Sequence, residues 1–305
     1  MTKIDDELLA QIADLHGVPE GSYNIRKNGE SIARFSSEEV IIEPKKNKNG
    51  INIRVKPYVK GKSVHIPVIL TVGGFTDLVY NDFYIGEGAE VTIIAGCGIH
   101  NATQNKSEHD GIHSFHLGAG SKVTYIEKHL ALGNEKSEKV LNPTTKIVMD
   151  KNSSFLMETI QLGGVTYSNR KTYATIKQNA HLVIKEKILT TQNQIAKTLF
   201  NVKLVEDGSS VEVVSRSVAK DNSYQEFVSN VIGSADCYGH VECDGILLNN
   251  AQIVSTPKIQ AKIYKANLVH EAQIGKIAGE QLIKLMSLGL SEAEAENLII
   301  KGYLN

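Results

Sequence analysis

The sequence predicts an all-β fold: a solenoid of stacked β-coils, entered through one short helix and closed by a helical hairpin. Three observations carry this. From about residue 51 to about residue 265, short apolar runs alternate with Gly, Asn, Asp and Ser, and no segment there has convincing helical spacing. Within that stretch a motif recurs: a polar or glycine turn, a small residue, any residue, then a β-type apolar residue. Helical periodicity appears only at the two ends of the chain.

The motif reads GEGAEVTII, GAGSKVTYI, KNSSFLMETI, KQNAHLVIKEKI, EDGSSVEVVSRS and GSADCYGHVEC. Aligning Ala89, Ser121, Ser153, Ala180, Ser209 and Ala235 gives intervals of 32, 32, 27, 29 and 26 residues. A small residue fixed at a corner before each strand is what stacked coils need, because each coil buries its inner face only against its neighbours. Each interval spans one coil or two flattened ones. The alternative is a β-sandwich with frequent turns. No six-residue repeat is visible, which argues against a left-handed hexapeptide helix.

The elements follow in order. Asp5 to Leu15 has Leu8, Leu9, Ile12 and Leu15 at helical spacing, acidic residues in the first turn, and Gly17 as the expected stop. Residues 18–50 read as an irregular cover with short strands such as Val40-Ile41-Ile42. The run Lys45 to Gly50 has the composition of a solvated turn rather than a basic binding site. The divisions expected are 1–50 for the N-terminal helix and cover, 51–268 for the β-core and 269–305 for a helical C-terminal unit. In the last of these, residues 277–288 place Ile277, Leu282, Leu285 and Met286 on one side, and Gly289 is a C-terminal stop. Ser291 and Glu294 form a capping box for a second helix, expected to run to about Lys301 and to end at Gly302. This hairpin serves to cover a solenoid end, to dock a partner, or both.

The bulk numbers exclude several classes. The 305 residues carry a formal net charge of -1, which gives no general electrostatic attraction to nucleic acid or a membrane surface. No apolar run approaches the ~20 residues of a membrane span. The opening MTKIDDELLAQ lacks an apolar signal core, so a cytoplasmic location is expected. Three cysteines, Cys97, Cys237 and Cys243, argue against a disulfide framework and leave thiolate or metal roles open. There is no Walker A loop, so ATP hydrolysis has to come from a partner.

Two constellations bear chemistry. The first is CDGILLNNAQIVSTPKIQAKIYKANLVHE, residues 243–271, opened by Cys243 and closed by His270 and Glu271. Ile259, Ala261 and Ile263 alternate with Lys258, Gln260, Lys262 and Tyr264, the period of a strand with one buried face. The alternation breaks at Ala266-Asn267, which places His270 and Glu271 at or beyond a corner. A thiolate with an imidazole and a carboxylate suits iron or zinc better than acyl transfer. The second constellation is Cys97 and His100, a Cys-x-x-His half-site, with His109, His113, His116 and His129 downstream. Cys97, His100 and His113 are its candidate ligands, although NATQNKSEHDG between them resembles a mobile insertion. His113 and His116 are expected on opposite faces of a strand. Each cysteine and histidine has a plainer reading as a packed thiol or a solvated loop residue.

The segment NLVHEAQIGKIAGEQLIKLMSLGLSEAEAENLIIKGYL resembles the C-terminal signature of the SufB/SufD family of the SUF iron–sulfur cluster assembly system, and CDGILL is similar to the segment that carries the SufB cysteine. The resemblance spans roughly residues 85–305 and is specific at 243–248 and 268–303. It implies a right-handed parallel β-helix followed by a helical domain. It implies a scaffold rather than an enzyme, with a transient iron–sulfur cluster as cargo. The implied partners are a SufC-type ABC ATPase docked on the C-terminal helices (Leu282, Leu285, Met286), a second SufB- or SufD-like chain as homodimer or heterodimer, and apo client proteins. By this resemblance Cys243 matches the SufB cysteine, His270 the central histidine and Glu271 the second acid. Val269 stands where the first acid belongs, so one carboxylate of the pattern is missing. The competing classes are a metal-dependent β-helix enzyme using Cys97, His100 and His113, and a pure interaction protein.

Overall fold

The computed structural model describes residues 2–161 and 163–304. It is a parallel β-solenoid of about eight turns, with a short N-terminal helix and C-terminal helices. Helix α1 (Lys3–Ala13) is capped by Thr2, whose hydroxyl accepts from the Asp5 amide, and it ends at Asp14 in the left-handed conformation, ahead of Gly17. The segment expected to be an irregular cover with short strands holds three of them, including the one at Val40-Ile41-Ile42: β1 (Ser22–Lys27), β2 (Glu30–Phe35) and β3 (Val40–Pro44) lead into β4 (Gly50–Val55). The lysine-rich run is the tight β3–β4 turn, closed by Lys45 N–H to Gly50 O at 2.9 Å.

Successive strands then alternate between two sheets. They are β5 (Lys62–Leu70), β6 (Thr76–Ile85), β7 (Glu90–Asn101), β8 (Ser107–Leu117) and β9 (Lys122–Gly133), then β10 (Lys139–Leu141), β11 (Thr144–Met149) and β12 (Ser154–Gln161). Pro143 has no N–H to give the ladder, and it separates β10 from β11, which share the same two neighbours. The rest are β13 (Tyr167–Ile176), β14 (His181–Thr190), β15 (Ile195–Leu204), β16 (Ser210–Ala219), β17 (Tyr224–Gly233), β18 (Tyr238–Leu247), β19 (Gln252–Ala261) and β20 (Asn267–Gly275). The first sheet runs β2-β1-β5-β7-β9-β12-β14-β16-β18-β20, and the second runs from β19 back to β3. Each interval read from the sequence is therefore one coil of two strands.

The corner motif has a physical cause. Ala89, Ser121, Ser153, Ala180 and Ser209 are buried at the foot of first-sheet strands, each donating its amide to the residue three back at 3.1–3.3 Å. Stacking them in register leaves no room for a large side chain. In the next coil the position belongs to Cys237, not to Ala235, because Tyr238 is the residue that pairs with Ser210. Cys237 is thus a small corner residue, and its burial raises its thiol pKa.

Inward residues along the lumen form one core from Val40 to Cys243, with Phe83, Phe115, Tyr125, Phe155 and Phe200 fully buried. Helix α1 lies on the outside of the first sheet, packing Leu8, Leu9 and Ile12 against Ile25, Ile69 and Leu130. It approaches so closely that a methyl group on Gly96 would stand 2.7 Å from the Ile12 carbonyl oxygen. The C-terminal hairpin is α2 (Gly279–Ser287) and α3 (Glu292–Leu304). Gly289 takes the left-handed conformation at the end of α2, and Ser291 and Glu294 make the capping box. Helix α3 does not stop at Gly302, since Tyr303 and Leu304 continue it into a cluster with Leu189, Val218 and Ile246.

The expected half-buried strand near residue 260 needs correction. Ile259 and Ala261 point inward, in register with buried Val231 and Gly233, yet Ile259 is 45% exposed. Facing the lumen does not bury Ile259 here, because no further coil stacks on it.

Candidate functional site

Cys243 sits one rung from the end of a column of inward residues. Glu127, Thr159, Glu186, Ser215, Cys243 and Ala272 stack in register on successive first-sheet strands. The Cys243 thiol is 1% exposed, and burial pushes its pKa up to about 11, with the neighbouring Ser255 hydroxyl opposing that rise. A thiol in this state is a protonated, protected group at neutral pH.

His270 lies beyond the corner that follows β19, as expected, and within a further strand: β20 starts at Asn267 and pairs with β18 through Gly275. It sits beside inward Val241, which puts it on the same lumen face as Cys243, one strand over and two residues along. That offset is roughly 8 Å between backbones. Its Nε2 is buried without a hydrogen-bond partner. Burial, with the His240 charge adding to it, holds its imidazole pKa below the usual value. Glu271 is the next residue and faces the other way, as the period of two requires. Its side chain is 67% exposed, and the carboxylate lies 3.8 Å from His240 Nε2 on the outer surface. The structure therefore brings Cys243 and His270 to one face and leaves Glu271 off it.

A set of charges that the sequence patterns do not single out fills the middle of the lumen. Arg170, from the second sheet, donates to Glu127 and lies 3.1 Å from His129 Nδ1. Burial alone would raise the Glu127 carboxyl, but Arg170 and then His129 hold it well below the usual range. Glu186 accepts from Thr198 at 2.9 Å and Ser215 at 2.8 Å; burial raises its pKa, and Arg170 opposes. Nearer the N-terminus, Arg26 makes a two-pronged contact with Asp77 at 2.9 and 2.7 Å, with His109 Nδ1 3.3 Å from the same carboxylate. A signal for these groups exists in the sequence. In YIEKHL and LVIKEKIL, Glu127, His129 and Glu186 occupy the parity otherwise filled by Tyr125, Ile184 and Ile188.

The second constellation is regrouped. Cys97 is inward and buried, and His129 stacks beside it. His100 has the opposite parity, so it does not join Cys97. His113 is inward, while His116 is outward and stacks on Tyr84, on opposite faces as expected. Most of NATQNKSEHDG is strand; only residues 102–106 form the turn, tied by Asn101 and Thr103. Among the described residues, there is no group of three or more His, Cys, Asp and Glu that could hold a metal ion.

On the helical hairpin, Leu282 packs toward the solenoid. Met286 is 42% exposed, and the more exposed apolar residues are Ile283 and Leu288 on and after α2 and Leu298 on α3. No helix among the described residues is long and apolar enough to cross a membrane.

Comparison with known proteins adds the context. Residues 80–303 match the model of the SufBD core domain of the SUF system for FeS cluster assembly. An iron–sulfur cluster assembly SufBD family protein of Archaeoglobus fulgidus is 27% identical over 285 residues, covering 92% of this chain and 73% of that protein. A family protein of Methanothermobacter thermautotrophicus is 28% identical over 229 residues, 74% of this chain and 55% of its own length. A Methanocaldococcus jannaschii member is 25% identical over 295 residues, covering 95% of this chain and 92% of that protein. With the family's core domain spanning most of a parallel solenoid whose last two first-sheet strands carry Cys243 and His270, this chain belongs to the SufBD family.

Proposed function

We propose that this protein is a scaffold subunit for iron–sulfur cluster assembly and that Cys243 and His270 are the thiol and imidazole that handle the sulfur or iron. The observation that carries the reading is their shared lumen face on the last two first-sheet strands, in a chain of the SufBD family. One thiol and one imidazole with a partnerless Nε2 per chain form an incomplete ligand set. That suits a cluster that is built and then leaves, whereas a permanent centre favours more thiolates. The cluster is cargo, handed on to apo-proteins, and the protein itself is not an enzyme.

The exposed inner face of the last coil, Ile259 with its neighbours, is the natural seat for a second SufB- or SufD-like chain, which would complete the set. A SufC-type ABC ATPase docks on the exposed apolar residues of the hairpin, Ile283, Met286, Leu288 and Leu298, with Leu285 beside them. Leu282 supports that surface from behind. The complex works in the cytoplasm. Glu271, on the outer surface with His240, is at most an accessory group.

Anaerobic reconstitution with iron and sulfide tests this. Cluster absorbance is expected in the native chain, is lost in Cys243→Ala and reduced in His270→Ala, and persists in Glu271→Ala. Full absorbance in Cys243→Ala sinks the assignment. No cluster in the native chain together with retained ATPase binding leaves an interaction protein. For docking, Met286→Asp is expected to abolish co-purification with the ATPase, and undiminished co-purification removes that surface from the proposal.

A further inference from the structure

The last coil holds a hydroxyl that the sequence patterns do not single out. Ser255 lies on β19 in register with inward Phe227, so it points into the lumen from the second sheet. The frame across the lumen is set two residues away. A methyl on Gly245 would stand 2.7 Å from Ile253 Cδ1, so β18 and β19 face each other there. The chain folds back between these strands. Two residues back along β18 and two residues on along β19 therefore bring Cys243 opposite Ser255.

The same arrangement occurs two coils earlier with its bond in place. On the first sheet Cys243 stacks on Ser215, and Ser215 on Glu186. On the second sheet Ser255 stacks on Phe227, and Phe227 on Thr198. There the Thr198 hydroxyl donates across the lumen to the Glu186 carboxylate at 2.9 Å, over the same separation of 12 residues. Position for position, a second-sheet hydroxyl serves a first-sheet anion. In the last coil the hydroxyl is kept and the group opposite it is a thiol. Ser255 Oγ is buried and is committed to no other hydrogen-bond partner. Burial raises the Cys243 thiol pKa, the Ser255 hydroxyl opposes that rise, and the charges of Glu186 and Asp244 add to it. A hydrogen bond to an ionised acceptor is the stronger kind, so this contact tightens when the sulfur loses its proton to solvent.

We infer that Ser255 is a positioning residue of the Cys243 site, its hydroxyl donating across the lumen to the sulfur and favouring the thiolate over the thiol. The inference rests on the reading of Cys243 as the working thiol. It adds a third group, supplied by the second sheet, to Cys243 and His270. Ser255 acts through the sulfur and needs no contact with iron. The thiolate is the nucleophile and the metal ligand, so this hydroxyl sets how much of Cys243 is ready to take cargo.

The test is iodoacetamide labelling of the full chain between pH 7 and pH 9, with the rate at Cys243 read by peptide mass. Ser255→Ala removes the donor. A rise of one unit in the thiol pKa cuts the thiolate about tenfold and leaves the remainder about threefold more nucleophilic, so labelling should slow about threefold. Ser255→Thr, which installs the residue that stands opposite Glu186, should restore the native rate. Cys97 and Cys237 should label as before in both variants, and the Cys243 rates should coincide in concentrated urea. A hydroxyl that served packing alone predicts the opposite sign, because its removal loosens the last coil and speeds labelling. An unchanged or faster rate in Ser255→Ala overturns the inference, and so does a Ser255→Thr variant no faster than Ser255→Ala. Cluster reconstitution is read separately. Absorbance that survives Cys243→Ala defeats the assembly reading whatever the labelling rates, whereas a labelling rate indifferent to Ser255 defeats only this inference.

Discussion

Cys97 and Cys243 are equally hidden, at 2% and 1% exposure, but they are hidden by different means. Around Cys97 the solenoid is closed. Helix α1 lies on the outside of its strand, further coils stack on both sides, and buried charges crowd the lumen. Around Cys243 only one more coil follows, and that coil leaves part of its inner face, Ile259 included, to solvent. Burial of the first thiol is a property of the folded rod, whereas burial of the second depends on a single rung. A group meant to exchange cargo belongs at the second kind of place, since regions with few covering contacts open at the lowest free-energy cost.

This contrast makes predictions of decreasing size. Arg170→Met removes the cation that holds Glu127 and faces Glu186 in the closed region, leaving buried carboxylates uncompensated. A loss of about 3–5 kcal/mol in denaturant unfolding is expected, and a loss under about 1 kcal/mol would mean that these charges do not hold the interior together. The same network sets an acid limit. Burial alone would raise the Asp77 carboxyl, but Arg26 and His109 hold it well below its ordinary value, and Glu127 behaves likewise. Their contribution is fully present above the unfolded carboxylate pKa, about 4, and is lost as pH falls below that toward the depressed folded values. Urea midpoints should therefore drop between pH 5 and pH 3, and Asp77→Asn should flatten the drop. An unaltered slope in that variant would separate acid sensitivity from this pair.

Gly96→Ala is next. It pushes a methyl into the Ile12 carbonyl and should cost about 1–3 kcal/mol by lifting α1. If α1 helps to close the N-terminal region, alkylation of Cys97 should speed up in this variant while that of Cys243 does not. In the unaltered chain, at urea concentrations below the main transition, Cys243 should react at least ~10-fold faster than Cys97, equivalent to about 1.4 kcal/mol of easier opening. Equal rates would erase the distinction between the two ends. The smallest effect is Glu271→Ala, which alters an outer-surface carboxylate and should shift stability by no more than about 0.5 kcal/mol.

Side-chain parity makes much of the fold legible in the sequence. The recurring small residue locates the corners because a stacked corner has no space for anything larger, and the helical ends are visible by their periodicity and caps. The alignment slips at Ala235 because the turn before Cys237 is rebuilt with different residues, and only pairing with Ser210 fixes the frame. His270 and Glu271 adjoin in sequence, which suggests a partnership, yet adjacent residues of one strand face opposite sides. The break at Ala266-Asn267 is a corner between strands, not the end of the sheet. The Arg170 network is out of reach for another reason. Parity exposes Glu127 and Glu186 as misfits on an apolar face, but the cation that answers them comes from the opposite sheet, more than 40 positions from Glu127 in the chain.

The column of corners from Ala89 to Cys237 also sets how such a rod can change length. Adding one complete turn extends the shaft and leaves the end that carries Cys243 as it was. Adding a single residue inside a strand exchanges lumen and surface for everything up to the next corner. Viable lengths of this architecture should therefore differ by whole rungs, with finer variation confined to the loops outside the column.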